Sequence, residues 1–257
     1  MFRLWLFLSL LALLGIAERL WPRHSAAPLR RMRWPVNLGL GAINVLCLRL
    51  LLPWLAIDAA VWAHANNVGV LPHLHIPPFP AAVIAFVMLD LVIYAQHCLM
   101  HRVSFLWRLH RMHHTDLALD VSSAVRFHPL EILFSMGIKI GMVLLLGATP
   151  TVVLVFETVL SSFALFTHAN IHLPVSLDRW LRRIFVTPDM HRIHHSILRA
   201  EHDTNFGFHV SWWDRLFGSY RCNPQSDQSS MTLGLDGFRT AAGQRLPALL
   251  RQPLATL

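Results

Sequence analysis

Charge is scarce in this chain. Asp, Glu, Lys and Arg make up 14% of its 257 residues, while 54% are hydrophobic. A soluble globular domain carries about a quarter charged residues, so too few are present to solvate a surface. Lysine is almost missing, with Lys139 the only one against 21 arginines. Cysteine is scarce too. Cys47, Cys98 and Cys222 are odd in number and share no paired spacing, which excludes a disulfide framework, an iron–sulfur site and a zinc ribbon. Disorder and a collagen-like fibre are excluded by the apolar excess and by 12 glycines without period. What remains is a membrane composition.

The apolar residues are gathered into five segments, 2–17, 36–57, 80–96, 130–147 and 151–167, and the mean hydropathy is +0.47. The second is long enough to cross about 30 Å of hydrocarbon at about 1.5 Å per residue, and the others cross with local thinning or help from their ends. Gly147 to Pro150 turns the last two into a tight helical hairpin. The expected fold is therefore all-α, a polytopic membrane bundle of four to five spans.

The formal charge of +8 would raise nucleic acid as a partner in a soluble protein. Here the arginines lie between apolar runs, where they hold loops on the cytoplasmic side, and no nucleic acid is expected. Arg19, Arg23, Arg30, Arg31 and Arg33 follow the first segment and only Arg3 precedes most of it, which reads as an anchor with its N-terminus outside. A signal peptide is the alternative for this segment. Residues 58–79 contain no Lys or Arg and fall outside, whereas 97–129 and 168 onward are Arg-rich and fall inside. Trp21, Trp34, Trp54 and Trp62 lie near segment ends, where an aromatic belt belongs. The arginine bias reads as a GC-rich bacterial genome, and thus as a bacterial inner membrane.

Histidine is what this chain has in excess. Ten of its seventeen fall in four blocks: His97 and His101; His110, His113 and His114; His168 and His172; His191, His194 and His195. Chance at this composition would give roughly 0.07 of a three-histidine H-x-x-H-H block, and two are present. On a helix, i,i+3 and i,i+4 side chains share a face, so each block presents two or three imidazoles to one point. Imidazole suits iron, zinc, copper and nickel. Ten exceed one coordination shell, so two metals are the economical count. The helical hairpin lies between the two halves of the pattern, so all four blocks return to one membrane face.

The other histidines carry less. His24, His64, His73 and His75 read as solvated or interfacial. His128, before Pro129, reads as a helix cap or as a hydrogen-bond partner behind a ligand. His202 and His209 lie close after the last block and could bond to the site. Asp90, Tyr94, His97 and His101 share a helical face, and Glu157, Ser161, His168 and His172 make a similar stripe. Asp90 is either an acceptor orienting a ligand or Tyr94, or half of a salt bridge with Arg49 or Lys139.

With these residues in place, the sequence resembles the fatty acid hydroxylase and sterol desaturase superfamily of membrane di-iron enzymes. The resemblance covers about residues 85–222. It rests on the four histidine blocks, on Arg126-Phe-His-Pro-Leu-Glu131, on Thr187-Pro-Asp-Met-His-Arg-Ile-His-His195, and on Asp203-Thr-Asn-Phe-Gly207 and Trp213-Asp-Arg-Leu-Phe-Gly218. It implies a helical membrane bundle under a cytosolic helical cap that holds the metal site, with an N-terminal anchor region at 1–79, a catalytic domain at 80–222 and a cytosolic tail at 223–257. It also implies that the ten histidines hold two iron ions, with no catalytic residue apart from them. Asp90, Tyr94, His128, Asp189, His202 and Asn205 are the candidates to support the ligands. Members use O2, and electrons from a partner, to hydroxylate or desaturate lipids; hydroxylation is the expectation here. Spacing alone does not choose iron over zinc. No His-Pro-Gly-Gly haem signature and no flavin or nicotinamide glycine fingerprint occurs, so the electron donor is expected to be a separate protein. A histidine-rich metal transporter is the rival from another class, but its ligands should lie at the midplane of broken helices.

Overall fold

The computed structural model describes residues 2–24 and 30–255. Among them every regular element is helical, and extended pairing is limited to isolated bridges such as Phe185 with Val210. The all-α expectation holds. Helix α1 spans Phe2–Leu20, α2 Arg30–Leu51, α3 Ala56–Ala65 and α4 Pro78–Arg102. Helix α5 is Ser104–His114, α6 Pro129–Leu146 and α7 Pro150–His168. The remainder are short: α8 Val175–Leu181, α9 Pro188–His194, α10 Arg199–His202, α11 Trp212–Leu216 and α12 Leu246–Arg251.

Among the described residues, four stretches are long and apolar enough to cross a membrane: Arg30–Ala65, Pro78–Arg102, Pro129–Leu146 and Pro150–His168. The second expected span, 36–57, is interrupted. Pro53 lacks an N–H and biases Leu52 away from the helical region, so α2 stops at Leu51 and α3 starts afresh at Ala56. Asp58 then accepts the N–H of Leu55 at the new start. Helix α1 forms but carries Arg3, Glu18 and Arg19, and it is not among the four.

Proline opens the helices that matter most. Pro78, Pro129, Pro150 and Pro188 stand in the first turns of α4, α6, α7 and α9, where a missing N–H costs nothing and φ is already helical. The α6–α7 hairpin closes on Gly147, which sits left-handed at φ 69°. A Cβ on Gly147 would approach Val68 O to 2.5 Å, so the loop after α3 packs directly on the hairpin tip. Around that end the core is apolar, with Ala56, Ala60, Leu89, Val143, Val153 and Phe156 fully or almost fully buried.

The opposite end is polar. The Arg33 side chain donates to both Asp116 and Asp120, and Asn37 donates to Asp116 and Ser122. Arg126, 1% exposed, donates to Asn37, Thr115 and Gln244. Glu18 accepts the backbone N–H groups of Val121 and Asn170. Helices α1 and α2 thus grip the turn at Val121–Val125, which lies under the C-terminus of α5. The C-terminal segment grips α5 as well, since Arg111 donates to the carbonyls of Gln252 and Ala255.

Candidate metal centre

Helices α4 and α7 end at the polar side, α5 turns back from α4, and α9 packs against α7. These four elements carry the histidine blocks to one place. Nine of the ten histidines meet in two groups: His97, His101, His110, His114 and His194 in one, and His113, His168, His191 and His195 in the other. Within each group the ligand nitrogens lie within 4.8 Å of one another, and all nine side chains are buried.

His172 is not brought there. The i,i+4 argument needs helix to continue past His168, but Ala169 takes extended backbone. His172 is instead exposed and pairs through Nδ1 with Arg23 Nη1 at 3.0 Å.

The hydrogen bonds define which nitrogens are free. His97 Nδ1 faces Phe206 O at 2.7 Å, His168 Nδ1 faces Ala164 O at 2.7 Å, and His194 Nδ1 faces Thr204 O at 2.8 Å. His113 Nδ1 faces Arg126 O at 3.2 Å. A carbonyl only accepts, so each of these Nδ1 atoms carries the proton, and a neutral ring then has a bare lone pair at Nε2. His110 Nδ1 donates to Glu131 at 2.7 Å and His101 Nδ1 to Asp203 at 3.2 Å, with the same consequence.

The bare nitrogens converge. His97 Nε2 lies 3.2 Å from His110 Nε2, and His113 Nε2 lies 3.1 Å from His168 Nε2. His191 Nε2 joins them, 3.1 Å from His168 Nε2 and 3.2 Å from His195 Nε2, although no Nδ1 partner fixes the tautomer of His191 or His195. Lone pairs facing each other at this distance repel, and nitrogens of His101, His114 and His194 are buried with no partner at all. Two ligand nitrogens at about 2.1 Å from one cation subtend roughly 100° at such a spacing. The donor set therefore fits a cation in each group. Burial, then crowding by neighbouring imidazoles, holds His113, His114, His191, His194 and His195 well below the ordinary histidine value. They are neutral, the form that ligates.

The candidate supporting residues are dispersed around the site. His128 caps α6, its Nδ1 accepting the Leu130 N–H. His202 Nδ1 donates to Ser196 O, and the ring stacks on Trp107, which in turn packs against His101 and His114. Asn205, left-handed at φ 55°, ties Met190 O to the Arg221 backbone. Asp189 forms an ion pair with Arg23, and Tyr94 bonds Ser219. Asp90 meets neither a ligand imidazole nor Arg49 or Lys139: it accepts from Trp213 Nε1 at 2.8 Å and lies 3.2 Å from His209. Lys139 pairs with Glu157 instead, together with Arg3.

Sequence reasoning gave no role to Glu131 and Asp203, the carboxylates that touch imidazoles of the five-histidine group. An acid in the first turn of a span, three residues after a histidine, was the available indication for Glu131.

Residues 82–219 match the Fatty acid hydroxylase family. The chain belongs to that family. It is 35% identical over 176 residues to the ornithine lipid hydroxylase OlsE of Rhizobium tropici, an alignment covering 67% of this chain and 50% of that protein. It is 26% identical over 149 residues to cholesterol 25-hydroxylase of Rattus norvegicus, covering 56% and 47%. Human alkylglycerol monooxygenase is 26% identical over 155 residues, covering 60% and 34%. The chain spans about half the length, or less, of these curated relatives. No solved structure matches. With its four apolar helices, the chain is a membrane protein related to lipid hydroxylases.

Proposed function

We propose that the protein is an O2-dependent lipid hydroxylase that holds two iron ions in the two histidine groups and takes electrons from a separate protein. The observation that carries this reading is the pair of bare Nε2 lone pairs facing one another in each histidine group, His97 with His110 at 3.2 Å and His113 with His168 at 3.1 Å, in a buried site. Two cations account for them. The relationship to ornithine lipid hydroxylase supports a lipid substrate, and desaturation on the same scaffold is the alternative outcome for the same C–H bond.

Iron with O2 supplies the oxidant for an unactivated C–H bond, chemistry that no side chain provides. The chain supplies the rest. Glu131 and Asp203 fix the rings of His110 and His101, and carbonyls fix His97, His113, His168 and His194, so the ligands are set before metal enters. Phe206 packs edge-on against His97 and His101, and Phe127 stacks on His113, excluding water from the neutral donors. The ligands sit at the ends of α4 and α7 and on the short helices α5 and α9, unlike the midplane ligands expected of a transporter.

Metal analysis and an optical spectrum of the purified protein, with lipid profiles of cells with and without the gene, test the reading. Near two irons per chain, no Soret band and a lipid gaining one oxygen are expected. Zinc is a plausible occupant of isolated protein, so zinc alone would count against the reading only if iron reconstitution also failed to yield product. We further infer that the site faces the cytoplasm of a bacterial inner membrane. Single cysteines at the exposed positions Ser104 and Ser226 should be shielded from an impermeant thiol reagent in intact cells, and one at Asn67 should react. Opposite answers at Ser104 and Ser226 would break the topology.

A further inference from the structure

The short helices α8 and α11 present an apolar face. Leu177, Trp180 and Ile184 at the first, and Trp212, Leu216 and Phe217 at the second, are all exposed, a density foreign to a face bathed in water. Their depth explains it. Trp213, on α11, bonds Asp90, which lies twelve residues, about 18 Å, from the Arg102 end of α4. His97 and His101 occupy the last turns of that helix, so α11 reaches further into the apolar bundle than the imidazoles do. Phe217 stacks on Tyr94 at 5.5 Å, and Phe185, just after α8, packs on Phe163 of α7 at 5.3 Å. The two helices are fastened together, since the Ser211 backbone donates to Ile184 O and its hydroxyl to Arg182 O.

Beside this face lies a cleft of about 400 Å³ lined by Arg179, Arg182, Arg183, Arg215 and Tyr220. Asp178 neutralises Arg182 at 2.6 Å. Arg179 and Arg183 have no carboxylate partner among the described residues, and both are exposed. The Arg215 guanidinium is held 3.8 Å over the Tyr220 ring, and it donates to Arg182 O rather than to an acid. Three uncompensated guanidinium groups thus border an apolar surface packed against the long apolar helices α4 and α7.

We propose that this cleft binds the phosphate headgroup of an anionic phospholipid from the surrounding bilayer, its chains lying against Trp180, Trp212 and Leu216. Guanidinium forks match phosphate oxygens bidentately. The apolar rim selects a lipid over a soluble acidic partner, because docking a polar surface there would leave the rim's exposed face unmatched. The site is separate from the histidine groups and does not depend on their metal.

The test uses the full chain in nanodiscs of phosphatidylcholine and phosphatidylglycerol in equal parts, reading the selectivity for spin-labelled phosphatidylglycerol over spin-labelled phosphatidylcholine. Arg179→Gln and Arg183→Gln touch exposed side chains without ion-pair partners, so folding should be preserved. Each should lower the selectivity about fivefold, the effect of one basic residue at an anionic surface. Arg215→Gln should lower it further, and the lysine variants should retain part of it. A single cysteine at Leu216, with the three native cysteines replaced, should resist a water-soluble maleimide. Unchanged selectivity in the double glutamine variant would overturn the proposal. Rapid labelling at Leu216 would do so too, and would make the face an aqueous docking surface for an acidic protein. Loss of the preference on adding inorganic phosphate would show that free phosphate, not lipid, is the ligand.

Discussion

The two histidine groups are built alike at their centres and differently behind them. In the five-histidine group, His110 and His101 lean on carboxylates, Glu131 and Asp203, while His97 and His194 lean on carbonyls. In the four-histidine group, His113 and His168 lean on carbonyls alone, and Nδ1 of His191 and His195 has no partner. A carboxylate raises the basicity of the imidazole it holds more than a carbonyl does. The first group therefore has two stronger donors whose partners can be mutated. The second takes its order from backbone that only the fold can set. If both hold metal, removing a ligand from one should spare the other.

The largest expected effect follows from that. His191→Ala should remove the metal of the four-histidine group, leave about one ion per chain, and abolish turnover, since a missing ligand opens a shell without disturbing an apolar span. His110→Ala should do the same to the five-histidine group. Metal content per chain decides it: two ions retained in either variant would end the assignment of that histidine.

Next in size is the polar scaffold under the second group. The Arg33→Met change would strand Asp116 and Asp120, both buried, and losing one partner of a buried ion pair costs about 3–5 kcal/mol. Burial pushes the Asp116 carboxyl up, but Arg33 and Arg126 outweigh it and hold it well below the ordinary aspartate value. Its contribution is therefore present above about pH 3.9 and fades as pH falls from there toward its lower folded value. Thermal unfolding in detergent across that range should show this acid limb in the parent, and Arg33→Met should lose it.

How much of this could be read from the sequence depends on the range of the interaction. The nine meeting histidines were legible because each block is local, a helical face written in i,i+3 and i,i+4 spacing. His172 was misread for the same reason. Its spacing to His168 is helical, but nothing at Ala169 announces that the helix has ended, and the next breaker is Pro174. The split at Pro53 was written in the sequence and was overridden by the length of the apolar run. The pairing of Arg33 with Asp116 joins residues 83 apart, a separation across which composition and period carry no information. The partners of Asp90, Trp213 and His209, lie beyond the same horizon.

Third comes Glu131→Gln. The amide keeps size and loses charge, so His110 would remain in place but become a weaker donor. A fall of about 10–100-fold in iron affinity is expected, confined to the five-histidine group and measured by chelator competition. An equal loss from both groups would mean that Glu131 supports the fold of the whole site and not one ligand.

The smallest effect should belong to Asp203→Asn, although its place in the pattern is the same. Asp203 stands 3.2 Å from His101 Nδ1, longer than the 2.7 Å of Glu131 to His110. Its side chain is 35% exposed, against 5% for Glu131, and its other oxygen is engaged by Arg199. Water and Arg199 already weaken its field at the imidazole, and an exposed pair of this kind contributes little. The asparagine carbonyl can also accept the same proton from His101. Iron affinity in Asp203→Asn should therefore fall less than in Glu131→Gln, by a few-fold at most. If the two losses were equal, burial would not be what separates the carboxylates. The five-histidine group would then be buttressed evenly, and the contrast between its two charged supports would disappear.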